Sequence, residues 1–294
     1  MNGVAARLGV YLKLGRASNL PTVWTNVLAG VVLAGGRPEP RRLLLLWTAL
    51  SCFYTGGMFL NDAFDRELDE RERPERPIPS GQVAAAEVYG IGYLLLAAGI
   101  LLLAAEAFLF GGRRSWAPAG AGAALAASIV LYDAWHKGNP LGPVLMGICR
   151  VLVYVIAALS VVPALEAPVI GAAVVLLAYL VGLTAVAKQE NLKELRNLWP
   201  LPFLFAPFLY AAPSAARSLA GAALYAGFLA WVSSAIALLV GRRKEIGRAV
   251  VRFIAGISLL DALLIAGAGR PATALVAVLS FATTLPAHRY VKGT

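Results

Sequence analysis

Long apolar stretches separated by short polar segments constrain the fold of this 294-residue chain more than any other feature. A helix needs about 20 apolar residues to cross the hydrocarbon core of a bilayer. Only 14% of the residues are charged, against about 25% in soluble domains. The sequence therefore predicts an all-α, polytopic transmembrane bundle of about nine to ten spans around a central cavity, forming a single domain over residues 1–294. Nine spans are predicted at residues 17–35, 43–60, 84–110, 116–135, 143–162, 169–187, 219–240, 250–268 and 272–285.

A tenth apolar stretch, residues 198–212, is short and contains three prolines, which interrupt helices. Lys and Arg are enriched in cytoplasmic loops, so their distribution tests whether it crosses. If it crosses and the N-terminus is inside, 18 of these residues face the cytoplasm and 7 face outward; otherwise the count is 13 against 12. Ten crossings with both termini cytoplasmic is the preferred topology, and nine remains the alternative. The net charge of +10 then reflects these loops, and no nucleic-acid partner is expected.

Acidic residues concentrate directly after the second predicted span. If that helix continues to Glu70, Asp62, Asp65 and Asp69 fall at positions i, i+3 and i+7, and Asn61 lies four residues before Asp65, so all four share one face. Clustered carboxylates repel one another, so a positive partner is expected there. Magnesium ions prefer such oxygen ligands, typically one or two carboxylates completed by substrate phosphates. Mg²⁺ is therefore the expected cofactor.

A stiff basic segment follows the acids. Three prolines, at positions 74, 77 and 79, restrict the backbone around Arg73 and Arg76. Arginine binds phosphate oxygens through paired hydrogen bonds, and a rigid loop loses little entropy when it does so. Metal-binding acids next to rigid arginines indicate a diphosphate substrate. The neighbouring glutamates at positions 67, 70, 72 and 75 are interpreted as solvated loop residues.

The order Asn-Asp-x-x-Asp-x-x-x-Asp followed by Arg-Pro-Ile-Pro-Ser-Gly, at residues 61–81, resembles the UbiA superfamily of intramembrane prenyltransferases. The resemblance implies a helical bundle whose cavity opens to lipid. It also implies Mg²⁺-dependent transfer of a prenyl group from an isoprenyl diphosphate to an aromatic or other lipid-soluble acceptor. It further suggests an integral protein of the cell inner membrane, in contact with membrane lipids, with its active site on the cytoplasmic side.

The resemblance also assigns roles to individual residues. It implies metal ligation by Asn61 and Asp65, and contacts of Asp62 and Asp69 with the metals or their waters. Arg66, Arg73 and Arg76 would hold diphosphate, while Arg16 and Asn26 would line the site from the first span. The residues on which catalysis is expected to depend are Asp62, Asp65, Asp69 and Lys137.

Two segments depart from the family pattern. The second motif, normally rich in Asp, reads Lys-Gln-Glu-Asn-Leu-Lys-Glu at residues 188–194, so Glu190 and Glu194 are either metal ligands or solvated helix-end residues. Lys137 lies five residues after Tyr132 rather than the usual four. These departures resemble the divergent prenyltransferase-like proteins of bacterial ebo clusters. They leave a second hypothesis open, in which the chain binds or transports a lipid or metabolite without chemistry.

Several polar residues lie within or at the edge of the predicted spans, where ionisable groups are costly and usually functional. Arg150 either serves the polar cavity or extends to the interface, and Asp133 belongs either to the site with Tyr132 or to a local ion pair. Glu106 and Asp261 are expected to mark internal polar contacts, with Asp261 the better functional candidate.

Overall fold

The computed structural model describes residues 3–110, 116–189, 197–241 and 245–290. Twelve α-helices form in these ranges, joined by turns and short helical segments. In chain order they are α1 Gly3–Leu14, α2 Leu20–Leu33, α3 Pro40–Phe64, α4 Arg66–Glu72, α5 Ala85–Phe110, α6 Ala117–Trp135, α7 Gly142–Leu159, α8 Ala167–Ala187, α9 Ala206–Ala215, α10 Leu219–Val240, α11 Ile246–Gly267 and α12 Pro271–Tyr290.

Eight of these helices are long and apolar enough to cross a membrane: α3, α5, α6, α7, α8, α10, α11 and α12. The first predicted span is shorter than expected, because α2 has 14 residues and follows a 3-10 turn at Ala17–Asn19. Almost all of α2 is nevertheless buried against other helices. The predicted all-α, polytopic architecture is confirmed, and the chain is an integral membrane protein.

The doubtful tenth stretch forms two short pieces, a 3-10 turn at Leu201–Phe205 and α9. The turn packs on Gly182 near the end of α8, and Tyr210 of α9 packs on Gly171 near the start of α8. Ser214 then reaches Gly267 at the end of α11. The two pieces together therefore run antiparallel to α8 and connect its end to the opposite side of the bundle, where α10 begins.

The helix α11 is the most deeply buried of the long helices and contacts α2, α8, α9, α10 and α12. Close approach of α2 to α7 depends on Gly30, where an added Cβ would lie 2.7 Å from the carbonyl oxygen of Tyr154. Small residues allow such contacts between membrane helices. Polar side chains on α2, α7 and α11 are thereby brought within hydrogen-bonding distance.

The acidic segment does not form the single continuous helix on which the shared face of its acids was based. Helix α3 ends at Phe64, and α4 begins at Arg66 after a bend at Asp65. Backbone hydrogen bonds from Asp65 to Asn61 and from Asp69 to Asp65, both 2.9 Å, preserve the helical register across the bend. The acids therefore remain close together although the helix is interrupted at Asp65.

Candidate active site

A cavity of about 810 Å³ opens between α3, α4, α6, α7, α8 and α11. Its mouth is charged and lies where α3, α6 and α8 end. Its deeper walls are apolar and include Leu50, Phe53, Leu125, Ile129 and Val153. The cavity thus combines a polar opening with an interior suited to a hydrocarbon chain.

Two arginines contact the first acids at the mouth. Arg16 donates to Asp62 at 3.2 Å and to Asn61 at 3.3 Å. Arg76 donates to Asp62 at 3.2 Å and to Asp69 at 2.9 Å. The backbone of Arg16 adopts a left-handed conformation with φ of 43°, uncommon for a residue other than glycine. This bend between α1 and the following turn positions Arg16 at the end of α3.

A second group of contacts closes the other side of the mouth. The Lys137 amine lies 2.8 Å from a carboxylate oxygen of Asp65, and His136 Nε2 lies 3.7 Å from the other oxygen. The His136 ring stacks on Tyr132 with centroids 4.7 Å apart. Asn61 donates from Nδ2 to Asp133 at 3.2 Å, which links α3 to α6. Lys137 therefore reaches the acids despite its unusual spacing from Tyr132.

Burial affects the charges at this mouth. It raises the pKa of Asp69, an effect that the neighbouring Arg76 opposes. Contact with Arg76 therefore favours the charged form of Asp69, which burial alone would disfavour. Loss of this contact would favour the protonated form, because burial penalises charge.

The donor set fits Mg²⁺ only together with a substrate. Among the described residues, no group of three His, Cys, Asp or Glu side chains is arranged to hold a metal alone. Mg²⁺ does not require such a cage, since one or two carboxylates and substrate phosphates satisfy it. The possible ligands are carboxylate oxygens and one amide oxygen, which are the ligands that this ion prefers. They belong to Asn61, Asp62, Asp65 and Asp69.

A second polar layer lies deeper in the bundle. Arg150 lines the cavity, donates to Asn26 at 3.0 Å and to Thr22 at 3.1 Å, and lies over the ring of Tyr54. Asn26 in turn donates to the fully buried Asp261 at 2.8 Å. The hydroxyl of Tyr154 donates to the other oxygen of Asp261. Arg150 therefore belongs to the cavity, while Asn26 lies behind it rather than lining the site as expected.

The end of α8 contributes a residue that sequence reasoning did not assign to the site. Lys188 lines the cavity and donates to the backbone oxygens of His136, at 3.1 Å, and Asn139, at 2.7 Å. Burial lowers the pKa of its amine. Glu190 and Glu194, the expected ligands of the second motif, lie outside the described residues.

Most other predicted site residues gather at the same cavity. Arg16, Arg73, Arg76, Tyr132 and Asp133 all line it. Arg66 does not, because it donates to Tyr89 at 3.1 Å and to Glu67 at 3.2 Å, away from the cavity. The buried Glu106 lies near the far end of α5, where it pairs with Arg42 at 3.1 Å, and is not part of the site.

Solved structures with a similar fold cover nearly the whole chain. A structure from work on digeranylgeranylglyceryl phosphate synthase in membranes superposes with a TM-score of 0.59, 18% identity, and coverage of 90% of this chain and 99% of the other. A UbiA homolog from Archaeoglobus fulgidus bound to GPP and Mg²⁺ gives a TM-score of 0.51 with 16% identity, covering 95% and 99% of the two chains. At such identities the likeness establishes the shared fold.

Curated relatives match shorter regions. The digeranylgeranylglyceryl phosphate synthase of Ignicoccus hospitalis is 40% identical over 99 residues, which are 33% of this chain and 32% of the relative. That of Thermococcus kodakarensis is 38% identical over 77 residues, 26% and 28% of the two chains. The chain thus matches about a third of the length of these relatives. They provide no support for an assignment to the ebo-cluster branch.

The model of the UbiA prenyltransferase family matches residues 22–245, which include the acidic and basic motifs at the cavity mouth, Asn26 and Arg150 of the deeper layer, and the segment of the second motif. This match extends over about three quarters of the chain. Together with the shared fold, it confirms the resemblance noted in the acidic and basic motifs: the chain belongs to the UbiA prenyltransferase family.

Proposed function

We propose that this chain is a prenyltransferase that moves a prenyl group from an isoprenyl diphosphate to a lipid-soluble acceptor within the membrane. The observation that carries the proposal is the charged mouth above an apolar cavity. Three aspartates there contact Arg16, Arg76 and Lys137. A diphosphate head and a hydrocarbon tail match these two environments respectively.

Asn61, Asp62, Asp65 and Asp69 would hold Mg²⁺ through their side-chain oxygens. When bound with the substrate, Mg²⁺ would offset the negative charge that builds up on the diphosphate as it leaves. The fit is supported by the all-oxygen donor set and by the phosphate ligands that Mg²⁺ commonly retains.

The protein's own cations would bind the diphosphate directly. Arg16, Arg76 and Lys137 now neutralise the acids, and the same donors can hydrogen-bond phosphate oxygens once a substrate enters. Stabilising the leaving group favours breaking of the bond between the prenyl carbon and oxygen. The apolar wall around Phe53 would exclude water from the resulting allylic cation, so that the acceptor forms the new bond to the prenyl carbon and gives up its proton to the released diphosphate.

The acceptor is proposed to be a lipid-type molecule. The curated relatives are named digeranylgeranylglyceryl phosphate synthases, so the product in their name is a prenylated glyceryl phosphate. A glyceryl phosphate is a reasonable first acceptor to offer this chain, beside aromatic acceptors.

The test is diphosphate release from an isoprenyl diphosphate by the protein reconstituted in lipid, with and without Mg²⁺ and with candidate acceptors. We expect Mg²⁺-dependent release that Asp62→Asn/Asp65→Asn abolishes. The matched control is Glu67→Gln/Glu70→Gln, which removes two exposed carboxylates from neighbouring α4 and should leave activity unchanged.

Tight, Mg²⁺-dependent binding of the diphosphate without release, even with acceptors present, would contradict the transferase proposal. It would instead support the second hypothesis of binding or transport. If both double variants lose activity equally, the general loss of negative charge explains the effect, and the acids at the cavity mouth have no specific role.

The proposed location is the cell inner membrane, with both termini and the cavity mouth on the cytoplasmic side. The excess of Lys and Arg in the loops on that side supports this orientation. In a background with both native cysteines replaced, a membrane-impermeant maleimide should label Glu166→Cys in intact cells stripped of their outer layers. It should label Glu70→Cys only after lysis, and the reverse pattern would contradict the orientation.

A further inference from the structure

The guanidinium of Arg150 differs from the arginines at the mouth in the partners that it contacts. It donates to the amide oxygen of Asn26 and the hydroxyl of Thr22, and it lies 5.4 Å from the ring centre of Tyr54. Among the residues that the structure describes, no carboxylate forms an ion pair with it. A half-buried cation within the bundle that is bonded only to neutral groups is costly unless opposite charge lies nearby.

The opposite charge lies on the far side of Asn26 from Arg150. Asp261 on α11 has no exposed surface, and it accepts hydrogen bonds from Asn26 and Tyr154. Asn26 thus separates the carboxylate of Asp261 from the guanidinium of Arg150. Two helices hold these groups on matching faces. Arg150 and Tyr154 are one turn apart on α7, and Thr22 and Asn26 are one turn apart on α2.

This arrangement fixes the direction of the Asn26 amide. Its NH₂ group faces a carboxylate, which only accepts hydrogen bonds, and its oxygen faces a guanidinium, which only donates them. Turning the amide over would place donor against donor and acceptor against acceptor. Asp261 therefore determines that an oxygen of Asn26 faces Arg150 and holds the guanidinium at the cavity wall.

The guanidinium retains binding capacity. Of the five N–H donors of an arginine, two are used in the contacts with Asn26 and Thr22. Tyr54, beneath Arg150, lies eight residues before Asp62 on α3, which corresponds to about 12 Å along the helix. Arg150 is therefore a separate cationic position, well below the acids at the mouth.

We infer that Asp261 is a positioning residue, which holds Arg150 through Asn26 and leaves its guanidinium open to the anionic head of the acceptor. The inference rests on the proposed function and adds the residues that would recognise the anionic head of an amphiphilic acceptor. A direct Asp–Arg pair at this depth would occupy the same donors and reduce anion binding. One intervening amide supplies the counter-charge without occupying them.

The experiment exchanges the two linked side chains. Asn26→Asp/Asp261→Asn keeps the composition, the net charge and a hydrogen bond between the two positions, but it places the carboxylate directly against Arg150. Binding to the reconstituted protein is measured for a long-chain alkylglycerol phosphate and for the corresponding alkylglycerol without phosphate. We expect the wild-type protein to prefer the phosphate about tenfold or more, as for charge-assisted hydrogen bonds, and the exchange to bring the ratio close to one.

Binding of an isoprenyl diphosphate with Mg²⁺ is measured on the same proteins and should be unchanged by the exchange. If the exchanged protein keeps the preference for phosphate, Asp261 does not position Arg150 and the inference is wrong. If the exchange instead weakens isoprenyl diphosphate binding, Arg150 serves the diphosphate rather than the acceptor, and the inference is also wrong. Because these measurements do not require turnover, absence of transfer would count against the proposed function alone.

A second variant decides the question if the exchanged protein does not fold. Tyr154→Phe removes one donor to Asp261 without altering Arg150 or Asn26, and it should reduce the preference for phosphate about threefold while binding of the neutral alkylglycerol stays constant. Its matched control is Tyr179→Phe, which removes another buried hydroxyl that bonds α11, through the Phe253 carbonyl at 2.9 Å. An unchanged preference in Tyr154→Phe, or an equal loss in both variants, would overturn the inference.

Discussion

The mouth of the cavity and its deeper wall both hold arginine and aspartate, but they arrange them differently. At the mouth, Asp62 contacts Arg16 and Arg76 directly. In the deeper wall, the amide of Asn26 separates Arg150 from Asp261. Direct pairs near water can exchange partners when a charged ligand enters, whereas charges embedded among α2, α7 and α11 are held in one arrangement. The comparison suggests that substitutions at the mouth mainly affect chemistry, and substitutions in the deeper wall also affect stability.

The largest effect is expected at the mouth. Arg76→Gln should lower kcat/KM for prenyl transfer at least about 100-fold, because the guanidinium contacts two of the acids and is proposed to bind the leaving diphosphate. Arg71→Gln, on the exposed surface of α4, serves as the control and should remain near wild type. Similar losses of kcat/KM in both variants would show that Arg76 at the mouth is no more important than an arginine on the exposed surface of α4.

The next effect tests the deeper wall. Asp261→Leu leaves the Asn26 amide and the Tyr154 hydroxyl without their acceptor, and each buried unpaired group costs about 1–3 kcal/mol. We expect the free energy of unfolding, measured by reversible denaturation in mixed micelles, to fall by about 2–4 kcal/mol. Asp65→Asn at the mouth should lower the free energy of unfolding by only about 1 kcal/mol, because Asn keeps the shape of the side chain and the partner Lys137 is 40% exposed to water. Equal losses of stability at the two positions would contradict the comparison.

A smaller effect should follow from separating the helices that carry the deeper network. Gly30→Ala would place a Cβ within 2.8 Å of Ala157 and 2.7 Å of the Tyr154 carbonyl, so that α2 must move away from α7. We expect a loss of about 1–3 kcal/mol in unfolding free energy, typical of an overpacked core. Gly227→Ala on α10 has no neighbour within 4 Å of the new Cβ and provides the control. Unchanged stability in Gly30→Ala would mean that this crossing adapts without cost.

The smallest effect is expected where the structure and the sequence-based role disagree. Arg66→Ala should change kcat/KM by less than about threefold, because Arg66 contacts Tyr89 and the exposed Glu67 rather than the cavity. A loss approaching that of Arg76→Gln would show that Arg66 turns toward the substrate during the reaction. Steady-state kinetics with a single isoprenyl diphosphate is sufficient for this comparison.

The sequence predicted the mouth well because its pattern is local. Asn61, Asp62, Asp65 and Asp69 lie within nine residues, and helical periodicity alone brings them together even across the bend at Asp65. The stiff segment before Pro77 indicated that Arg76 would bind diphosphate beside these acids, and its direct contacts with Asp62 and Asp69 were not predicted. Fold class followed from apolar segment length, which the bilayer dictates.

The deeper wall could not be predicted because its contacts join distant parts of the chain. Asn26 and Asp261 are 235 positions apart, and only the packing of α2 on α11 brings them together. Sequence reasoning flagged Asp261 as a costly intramembrane acid but had no means of naming its partners. Lys188 was missed for a similar reason, because its contacts are backbone carbonyls of a remote loop. The direction of Arg66 depends on Tyr89, which is also set by helix packing.

The segment Leu201–Ala215 that runs along α8 has a consequence for the surrounding lipid. Five 3-10 residues and ten α-helical residues rise about 25 Å together, less than the roughly 30 Å of a typical hydrocarbon core. Leu209 is 82% exposed, so lipid rather than protein covers part of this segment. Hydrophobic mismatch of this size is relieved by local thinning of the bilayer. The protein should therefore deform the membrane on this side, and bilayers of shorter acyl chains should accommodate it with less strain.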